Sequence, residues 1–517
     1  MRCDIIRRNK IFLDERNGGI MTEENLLKLQ NGSDVRGVAV AGVAGEAVNL
    51  TAEAVNLIAS SFVKFLSEKC GKPVTGLKIS VGHDSRISAP ELLKGVCESL
   101  AWHGVEVLNC GLASTPAMFM STIYPETETD GAIMLTASHL PFNRNSMKFF
   151  TSDGGLEKDE ITALLKNAAT FDEKHGDASR AKNFDLIGLY ADNIREQVCT
   201  ALDNEKPLAG MKIIVDAGNG GGGFFAEKIL APLGADTTGS QFLDPDGTFP
   251  NHIPNPEDEK AMASIKKAVL DNRADLGLIF DTDVDRAGAV LSDGSEISRN
   301  ALIAMMAAIL APDYPGSTII TDSITSDELT AFLEGKLGLK HHRFKRGYKN
   351  VINECIRLNK SGVICPLAIE TSGHGALSEN YFLDDGAYLA MKMLIAAAEL
   401  HAQGKHLADL IADLKYPAET AEYRLKILVA DFKAYGQKVL DDFKARAVEN
   451  NLSLAEPNFE GVRINFDGGW ALLRLSLHDP NMPLNIESSR VGGCKKILAA
   501  VKNLLGGFDD LDISALA

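Results

Sequence analysis

Paired cysteines, long apolar runs and surplus positive charge are all missing from this chain, and each absence removes a class of protein. The eight cysteines are scattered with no Cys-x-x-Cys pair, which argues against a zinc site or a disulfide framework and for a reducing, cytoplasmic location. The longest apolar stretches, such as Ala301 to Pro312, fall short of the ~20 residues that span a bilayer. No membrane partner is expected. Lys and Arg total 53 against 70 Asp and Glu, a net charge of −17, and an acidic chain is a poor match for nucleic acid. A local basic pocket for a small anion remains compatible with that balance. The segment Met1 to Lys10 carries basic residues but no apolar core follows, so no secretory signal is expected. Met21 offers a second start, and residues 1–30 are expected to be an N-terminal extension whose first twenty residues are dispensable.

What is present is a repeated pattern. With 517 residues the chain implies three or four domains. Six times an apolar run ends in a polar, Gly-rich or Asp-rich loop: Leu77–Arg86, Ala132–Pro141, Met211–Gly223, Leu276–Arg286, Ser317–Ser326 and Val363–His374. Helical stretches lie between them, such as Glu53 to Lys69 and Ala301 to Leu310. Alternating strand and helix is the signature of α/β layers, whose ligands gather at the carboxyl ends of strands. The last hundred residues differ. A helix near Asp431 to Glu449 precedes two strands joined by an Asp467-Gly468-Gly469 turn, then a strand in "MPLNIESS" and a helix near Gly493 to Leu505. This predicts a C-terminal α+β domain with an antiparallel sheet. The expected domains are residues 31–187, 188–300 and 301–415, all α/β, and 416–517.

Several loops carry chemistry. In "FDTDVDR" three aspartates alternate after Leu276–Phe280, and side chains at i and i+2 of an extended loop can converge on one hard cation such as Mg²⁺. A solvated acidic turn is the bland alternative. An EF-hand fails because Arg286 and Ser292 stand where Gly and Glu are needed. A haloacid-dehalogenase-type phosphatase also begins with strand-Asp-x-Asp, but no Gly-Asp pair follows to supply its second acidic motif. "ETSGH" (Glu370–His374) groups a carboxylate, a hydroxyl and an imidazole that can read sugar hydroxyls, or else a helix cap at Ser372. "LRLSLHDP" sets Arg474, Ser476 and His478 on alternate positions, a set that can hold a phosphate or simply edge a strand. "SDVRG" and "GHDSR" read first as local salt bridges, "KRGYKN" as a solvated basic turn, and "DAGNGGGG" as a tight strand-to-helix connection. In "LTASHLP" the question is whether Ser138 is a nucleophile or part of a turn.

Taken in order, these loops resemble those of the α-D-phosphohexomutase family, which includes phosphoglucomutases and phosphomannomutases. The likeness runs from about Ser33 to Ser489. "TASHLP" resembles the family's phosphoserine loop T-A-S-H-N-P, "DTDVDR" its metal loop D-G-D-G-D-R, "ETSGH" its sugar-binding loop, and "RLSLHDP" falls where its phosphate loop lies. The resemblance implies four domains around a central cleft and a phosphoryl group carried on Ser138. Asp281, Asp283 and Asp285, with the phosphoserine oxygen of Ser138, would hold Mg²⁺. Lys148 would act in acid–base transfer, with Arg36, Arg286 and His139 lining the same pocket. Glu370 and Ser372 would hold sugar hydroxyls with His374 nearby. Arg474, Ser476 and His478 would grip the non-reacting phosphate, assisted by Lys349. Phosphoserine would convert a hexose phosphate of glucose or mannose to a 1,6-bisphosphate, which turns over and returns the other phosphate. A mobile fourth domain would close to exclude water.

The chain departs from the family pattern at Leu140, Thr282, Val284, Ile369, Leu477, His478 and Asp479. Those in the phosphate loop keep two alternatives open. One is a hexose 1,6-bisphosphate synthase charged by another bisphosphate such as fructose 1,6-bisphosphate; the other is a non-catalytic sugar-phosphate-binding protein. A Ser-His hydrolase is disfavoured, because neighbouring Ser138 and His139 are not expected to hydrogen-bond and no G-x-S-x-G elbow exists. Oligomeric state is not legible.

Overall fold

The computed structural model describes residues 21–476 and 479–516. They form two compact units. One runs to Tyr190 and takes in residues 219–221 and 244–251; the other comprises residues 191–218, 222–243 and the chain from His252 onward. Among the described residues no helix is long and apolar enough to cross a membrane.

In the first unit, strands β1 (Asp34–Val38), β2 (Lys78–His83), β3 (Glu106–Leu112), β4 (Gly131–Leu135) and β5 (Arg144–Thr151) lie in the order β1-β5-β4-β2-β3, with two-residue strands at both edges. β2 runs parallel to β3 and β4, whereas β4–β5 and β5–β1 are antiparallel. The sequence of β4, Gly-Ala-Ile-Met-Leu, is apolar throughout because the strand is buried on both faces. Helix α1 (Ala52–Cys70) starts where the Thr51 hydroxyl accepts from the Ala54 N–H and stops at Gly71, which takes φ +64°. With α2 (Ala89–Trp102) it covers a core of Ile79, Val81, Ile133 and Leu135, and Phe62 packs on Phe149 with ring centroids 4.8 Å apart.

The second unit holds three sheets. β6 (Ile213–Asp216) is parallel to β7 (Leu276–Phe280), which turns back as β8 (Ala287–Leu291). β9 (Thr318–Thr321), β10 (Lys340–Arg343), β11 (Leu367–Ile369) and β12 (Gly375–Leu377) pair in the order β10-β9-β11-β12, antiparallel only at β11–β12. Helices α3 (Glu259–Asn272), α4 (Arg299–Leu310), α5 (Tyr348–Lys360) and α6 (Gly386–Ala402) accompany these two sheets. α4 is apolar on nearly every side because nearly every side is buried. β13 (Glu419–Ile427), β14 (Val462–Phe466), β15 (Gly469–Leu473) and β16 (Asn481–Ser488) form the antiparallel third sheet in the order β14-β15-β16-β13, backed by α7 (Phe432–Glu449) and α8 (Gly493–Leu504). The six strand-then-loop segments of the sequence each contain a strand, namely β2, β4, β6, β7, β9 and β11. β13 was not anticipated. Its charged Glu422, Arg424 and Lys426 alternate with Ala421, Tyr423, Leu425 and Ile427 on the core, a half-buried strand that reads as a polar linker.

The third sheet buries part of its polar face as well as its apolar one. On β16, Met482, Leu484 and Ile486 enter the core with α7 and α8, while Asn485 and Glu487 point the other way and are also buried. On that face the Arg463 guanidinium stacks 3.8 Å from the Trp470 ring. It donates to the Ser323 and Thr325 carbonyls at 3.1 and 3.4 Å and to Asp327 Oδ1 at 2.9 Å. Arg463 therefore fastens the C-terminal domain to the loop that follows β9. Charge-assisted hydrogen bonds of this kind contribute ~1.5–3 kcal/mol each, and only a planar fork reaches all three acceptors at once. Arg463→Met is expected to destabilise the protein by about 3 kcal/mol in urea unfolding, and Arg463→Lys to recover less than half of that loss.

Candidate active site

The turn between β4 and β5 carries Ser138. Its backbone sits at φ +49°, a left-handed conformation that is uncommon for a residue with a side chain. Two contacts hold it there. Its N–H donates to Thr136 Oγ1 at 3.0 Å, and its carbonyl accepts from Arg86. Arg86, at the carboxyl end of β2 and 1% exposed, donates to four carbonyls of this one turn: Ser138 at 2.5 Å, Leu140 at 2.6 Å, Pro141 at 2.7 Å and Arg144 at 2.9 Å. Its Nε lies 3.2 Å from Asp84 Oδ2, and its guanidinium lies over Phe249. "GHDSR" is thus the expected salt bridge and also the clamp on the serine turn.

Ser138 Oγ lies 3.3 Å from His139 Nδ1. The expectation that neighbouring Ser and His do not bond is corrected here. An extended backbone would send their side chains to opposite faces, but the left-handed φ of Ser138 turns both to the same side. Arg36 on β1 pairs with Asp34 at 2.7 Å and stands opposite Ser146 of β5. Lys148 is two residues further along β5, opposite Met134 of β4, so Arg36 and Lys148 share one face of the sheet. Lys148 is 5% exposed.

In the second unit the β7–β8 turn carries Asp281, Asp283 and Asp285, all buried, with one carboxylate oxygen of each within 4.8 Å of the others. Arg286, also buried, donates to Asp281 Oδ2 through Nε and Nη2 at 3.2 and 3.0 Å, and through Nη1 to Asn255 Oδ1 at 3.0 Å. The donor set fits a divalent cation. Three hard oxygens converge to nearly the span of two metal–oxygen bonds of ~2.1 Å, and the adjoining Thr282 hydroxyl is buried with no hydrogen-bond partner among the described residues. Val284, where the related loop has glycine, adopts φ +66° although β-branched and fully buried.

"ETSGH" is the turn between β11 and β12, not a helix cap. Glu370 N–H donates to the His374 carbonyl and Gly373 N–H to that of Glu370. Gly373 takes φ +94°, and a Cβ there would sit 3.1 Å from the Ala287 carbonyl. Glu370 Oε1 accepts from Gly347 N–H at 2.6 Å and Oε2 from Ser372 Oγ at 3.3 Å. Burial, and then the nearby Asp322 carboxylate, pushes the Glu370 pKa up to about 7. His374 Nδ1 meets Asp384 Oδ2 at 2.6 Å and comes within 3.9 Å of Asp285, while its ring stacks on Tyr348. Burial pulls the other way, yet these two carboxylates raise its pKa to about 9. The Glu370–His374 turn and the Asp281–Asp285 turn are therefore in direct contact.

Lys349 lies in the first turn of α5, directly after Gly347. Arg474 leaves the end of β15, its N–H donating to the Pro483 carbonyl, and Ser476 Oγ accepts from Asp479 N–H. Burial lowers the Arg474 pKa, with Glu460 the strongest opposing charge. His478 lies outside the described residues. Arg86, Asp322, Arg346, Asp384 and Glu460 also belong to the site's framework but were not singled out. Arg86 had a signal in the Asp-x-Arg at a strand's carboxyl end, and Arg346 lay in "KRGYKN", read as a solvated basic turn; Asp322, Asp384 and Glu460 are defined by contacts remote in sequence.

Successive α/β sheets, each presenting a polar turn at a strand's carboxyl end, define the multidomain α/β/α class. Comparison with known proteins is more specific. The family models for "phosphoglucomutase/phosphomannomutase, alpha/beta/alpha" domains I, II and III match residues 28–175, 189–294 and 298–416. A phosphomannomutase/phosphoglucomutase of Pseudomonas aeruginosa is 28% identical over 432 residues, covering 83% of this chain and 88% of that protein. A phosphoglucomutase of Neisseria meningitidis is 29% identical over 465 residues, 89% of this chain and 93% of its own. The crystal structure of a phosphoglucomutase/phosphomannomutase family protein from Burkholderia thailandensis superposes with a TM-score of 0.75 at 24% identity, covering 94% of this chain and 98% of that one. The chain belongs to the phosphoglucomutase/phosphomannomutase family, the α-D-phosphohexomutases.

Two consequences of this geometry are measurable. Removing a buried charge that serves so many partners costs ~3–5 kcal/mol, so Arg86→Met is expected to lower unfolding free energy by about that much. Arg86→Lys is expected to restore little, because one ammonium cannot reach four carbonyls. At Val284, left-handed strain of ~1–3 kcal/mol opposes the burial of the side chain, worth ~1.5–3 kcal/mol. Val284→Ala keeps most of the strain and loses the burial, whereas Val284→Gly loses both. Glycine is therefore expected to be the more stable of the two by about 1 kcal/mol, the reverse of the order at ordinary buried sites; equal or inverted midpoints in urea would contradict the strain.

Proposed function

We propose that the chain is a Mg²⁺-dependent phosphohexomutase that interconverts the 1- and 6-phosphates of glucose or mannose through phosphoserine at Ser138. The observation that carries this reading is the Ser138 turn: a hydroxyl at a strand's carboxyl end, locked by Arg86 and 3.3 Å from an imidazole nitrogen. In the transfer, the P–O bond to Ser138 Oγ breaks as the free hydroxyl oxygen of a hexose phosphate forms a new one. Lys148 Nζ relays the hydroxyl proton to Ser138 Oγ; when the serine is rephosphorylated His139 Nδ1 takes that proton, and it returns through Lys148 Nζ to the sugar oxygen whose P–O bond breaks. Arg36 and Arg286 contribute fixed positive charge to the phosphoryl oxygens. Glu370 and Ser372 hold sugar hydroxyls, assisted by His374 and Lys349, while Arg474, Ser476 and His478 hold the phosphate that does not react. Asp281, Asp283 and Asp285, with a Ser138 phosphoryl oxygen, would bind Mg²⁺, which supplies neutralisation of the transferring phosphoryl charge. A hexose 1,6-bisphosphate is then both intermediate and activator. A cytoplasmic location, with a phosphosugar and neither nucleic acid nor membrane as partner, accompanies this reading.

One feature favours a second reading. Leu477, His478 and Asp479 replace the family's Asn/Gly-Thr-Glu, and an imidazole grips phosphate less firmly near neutral pH. A weaker distal grip suits a synthase that releases hexose 1,6-bisphosphate. The protein, incubated with glucose 1-phosphate, Mg²⁺ and catalytic glucose 1,6-bisphosphate, is expected to form glucose 6-phosphate, and its absence would sink the mutase. Fructose 1,6-bisphosphate as donor should leave no accumulated glucose 1,6-bisphosphate; accumulation would establish the synthase. Ser138→Ala is expected to cut either activity by at least about 10³-fold and to abolish phosphate on the peptide containing residue 138. Chelation of Mg²⁺ is expected to be reversible by adding it back.

A further inference from the structure

Two successive backbone amides in the "KRGYKN" turn are held by carboxylates from different domains. Gly347 N–H donates to Glu370 of the sugar turn at 2.6 Å. The preceding Arg346 N–H donates to Glu460 Oε2 of the C-terminal domain at 3.2 Å. The same Glu460 oxygen accepts from the Ser323 hydroxyl. Arg346 sends its side chain to Asp322, Nε to Oδ2 at 4.0 Å, and Asp322 Oδ2 accepts from Thr371 Oγ1 at 2.7 Å, inside the sugar turn. Glu460 is anchored on the phosphate loop as well. The next residue, Gly461, takes φ +58° and packs so closely that a Cβ would meet the Leu473 carbonyl at 2.1 Å and Arg474 Cα at 2.9 Å. One short path of rigid contacts therefore joins the Arg474 loop, through Glu460 and the Arg346–Gly347 peptide, to Glu370.

We propose that Glu460 is a positioning residue for substrate binding, coupling the phosphate loop of the C-terminal domain to the hydroxyl-binding carboxylate Glu370 by fixing the Arg346–Gly347 peptide between them. This rests on the reading of Glu370 and Arg474 as the two ends of a hexose-phosphate site. Holding the domains together does not require it, because Arg463, three residues on, already does so with buried guanidinium bonds and an aromatic stack. Glu460 is only half-buried, and among the described residues its side chain accepts from one hydroxyl and one amide. What its loss removes is the restraint on the Arg346 N–H, and with it the register of Gly347 against Glu370. Glu460 acts on the binding groups and not on the Ser138 turn, so its effect falls on ground state and transition state alike. The Arg474 charge points the same way, since Glu460 is the anion that most offsets the burial of that guanidinium.

The test uses the full-length protein with Glu460→Ala and Glu460→Gln beside wild type. Glu460→Ala is expected to raise KM for glucose 1-phosphate about tenfold, with kcat within about twofold. Glu460→Gln, whose amide oxygen still accepts from the Arg346 N–H, is expected to bring KM back to within about threefold of wild type. An unchanged KM in Glu460→Ala overturns the inference, as does failure of Glu460→Gln to rescue. A lowered kcat and a lowered urea midpoint resembling Arg463→Met would overturn it too, making Glu460 another fastener. Calorimetric Kd values for glucose 6-phosphate separate this inference from the mutase reading. A wild type that binds without turnover defeats the mutase but leaves the same tenfold comparison in Kd; a wild type that neither binds nor turns over defeats both.

Discussion

The Arg286–Asp281 ion pair is the contact on which the second unit's site depends. It is wholly buried, and around it lie Asp283, Asp285, Asp322, Glu370 and Asp384, all buried. Removing a carboxylate from water costs several kcal/mol even after relaxation, and like charges at this spacing repel. A single guanidinium that engages Asp281 directly, lies 3.9 Å from Asp285 and bonds Asn255 lets the first two anions coexist. It also fixes the β7–β8 turn so that all three aspartates face one point. His374, charged by its carboxylate neighbours, balances Asp384 and reaches Asp285. Such a cluster is poor for stability and well suited to a doubly charged cation, which would convert repulsion into coordination.

The first unit solves the converse problem, holding a serine in an unfavourable conformation. Ser138 at φ +49° is retained because Arg86 satisfies four carbonyls that would otherwise be buried or strained in a short turn. Strain and clamp are coupled. Relaxing the serine would break the bond to its carbonyl, and losing Arg86 would leave several acceptors unpaired. The Ser138–His139 contact exists only because of this strain, so the local chemistry follows from a residue more than fifty positions upstream in the chain. In both units an arginine at a strand's carboxyl end organises a turn, in one case by binding carbonyls and in the other by binding a carboxylate.

Legibility followed range. The strands β2, β4, β6, β7, β9 and β11 were readable because apolar runs that end abruptly in polar residues leave a local mark, and the aspartate triad was readable because its members alternate within one turn. β13 was not, since charges on its outer face dilute the apolar alternation. The Ser138–His139 bond was misjudged because a residue's escape into the left-handed region leaves no trace in composition when the residue is not glycine. Val284 hides the same way. Asp384 on His374, Asp322 on Thr371 and Glu460 on Arg346 are contacts between separate elements, and no spacing rule connects them. Arg86 is intermediate: its salt bridge to Asp84 is local and was read, whereas its carbonyl contacts depend on β2 and β4 being neighbours in the sheet.

That distinction between local and remote signals bears on the loop that carries Arg474. Arg474 and Ser476 were chosen for their alternation, yet what surrounds Arg474 is set by Glu460, fourteen positions earlier and brought close by the β14–β15 hairpin. The guanidinium is partly desolvated, its Nε has no hydrogen-bond partner among the described residues, and the anion that most offsets its burial is a carboxylate already committed to Ser323 and Arg346. An arginine so placed has a donor to offer and a lowered tolerance for its own charge, and both are relieved by an incoming dianion. On the proposed reading, the pull on a distal phosphate therefore comes first from Arg474 and the pairing that Glu460 leaves incomplete.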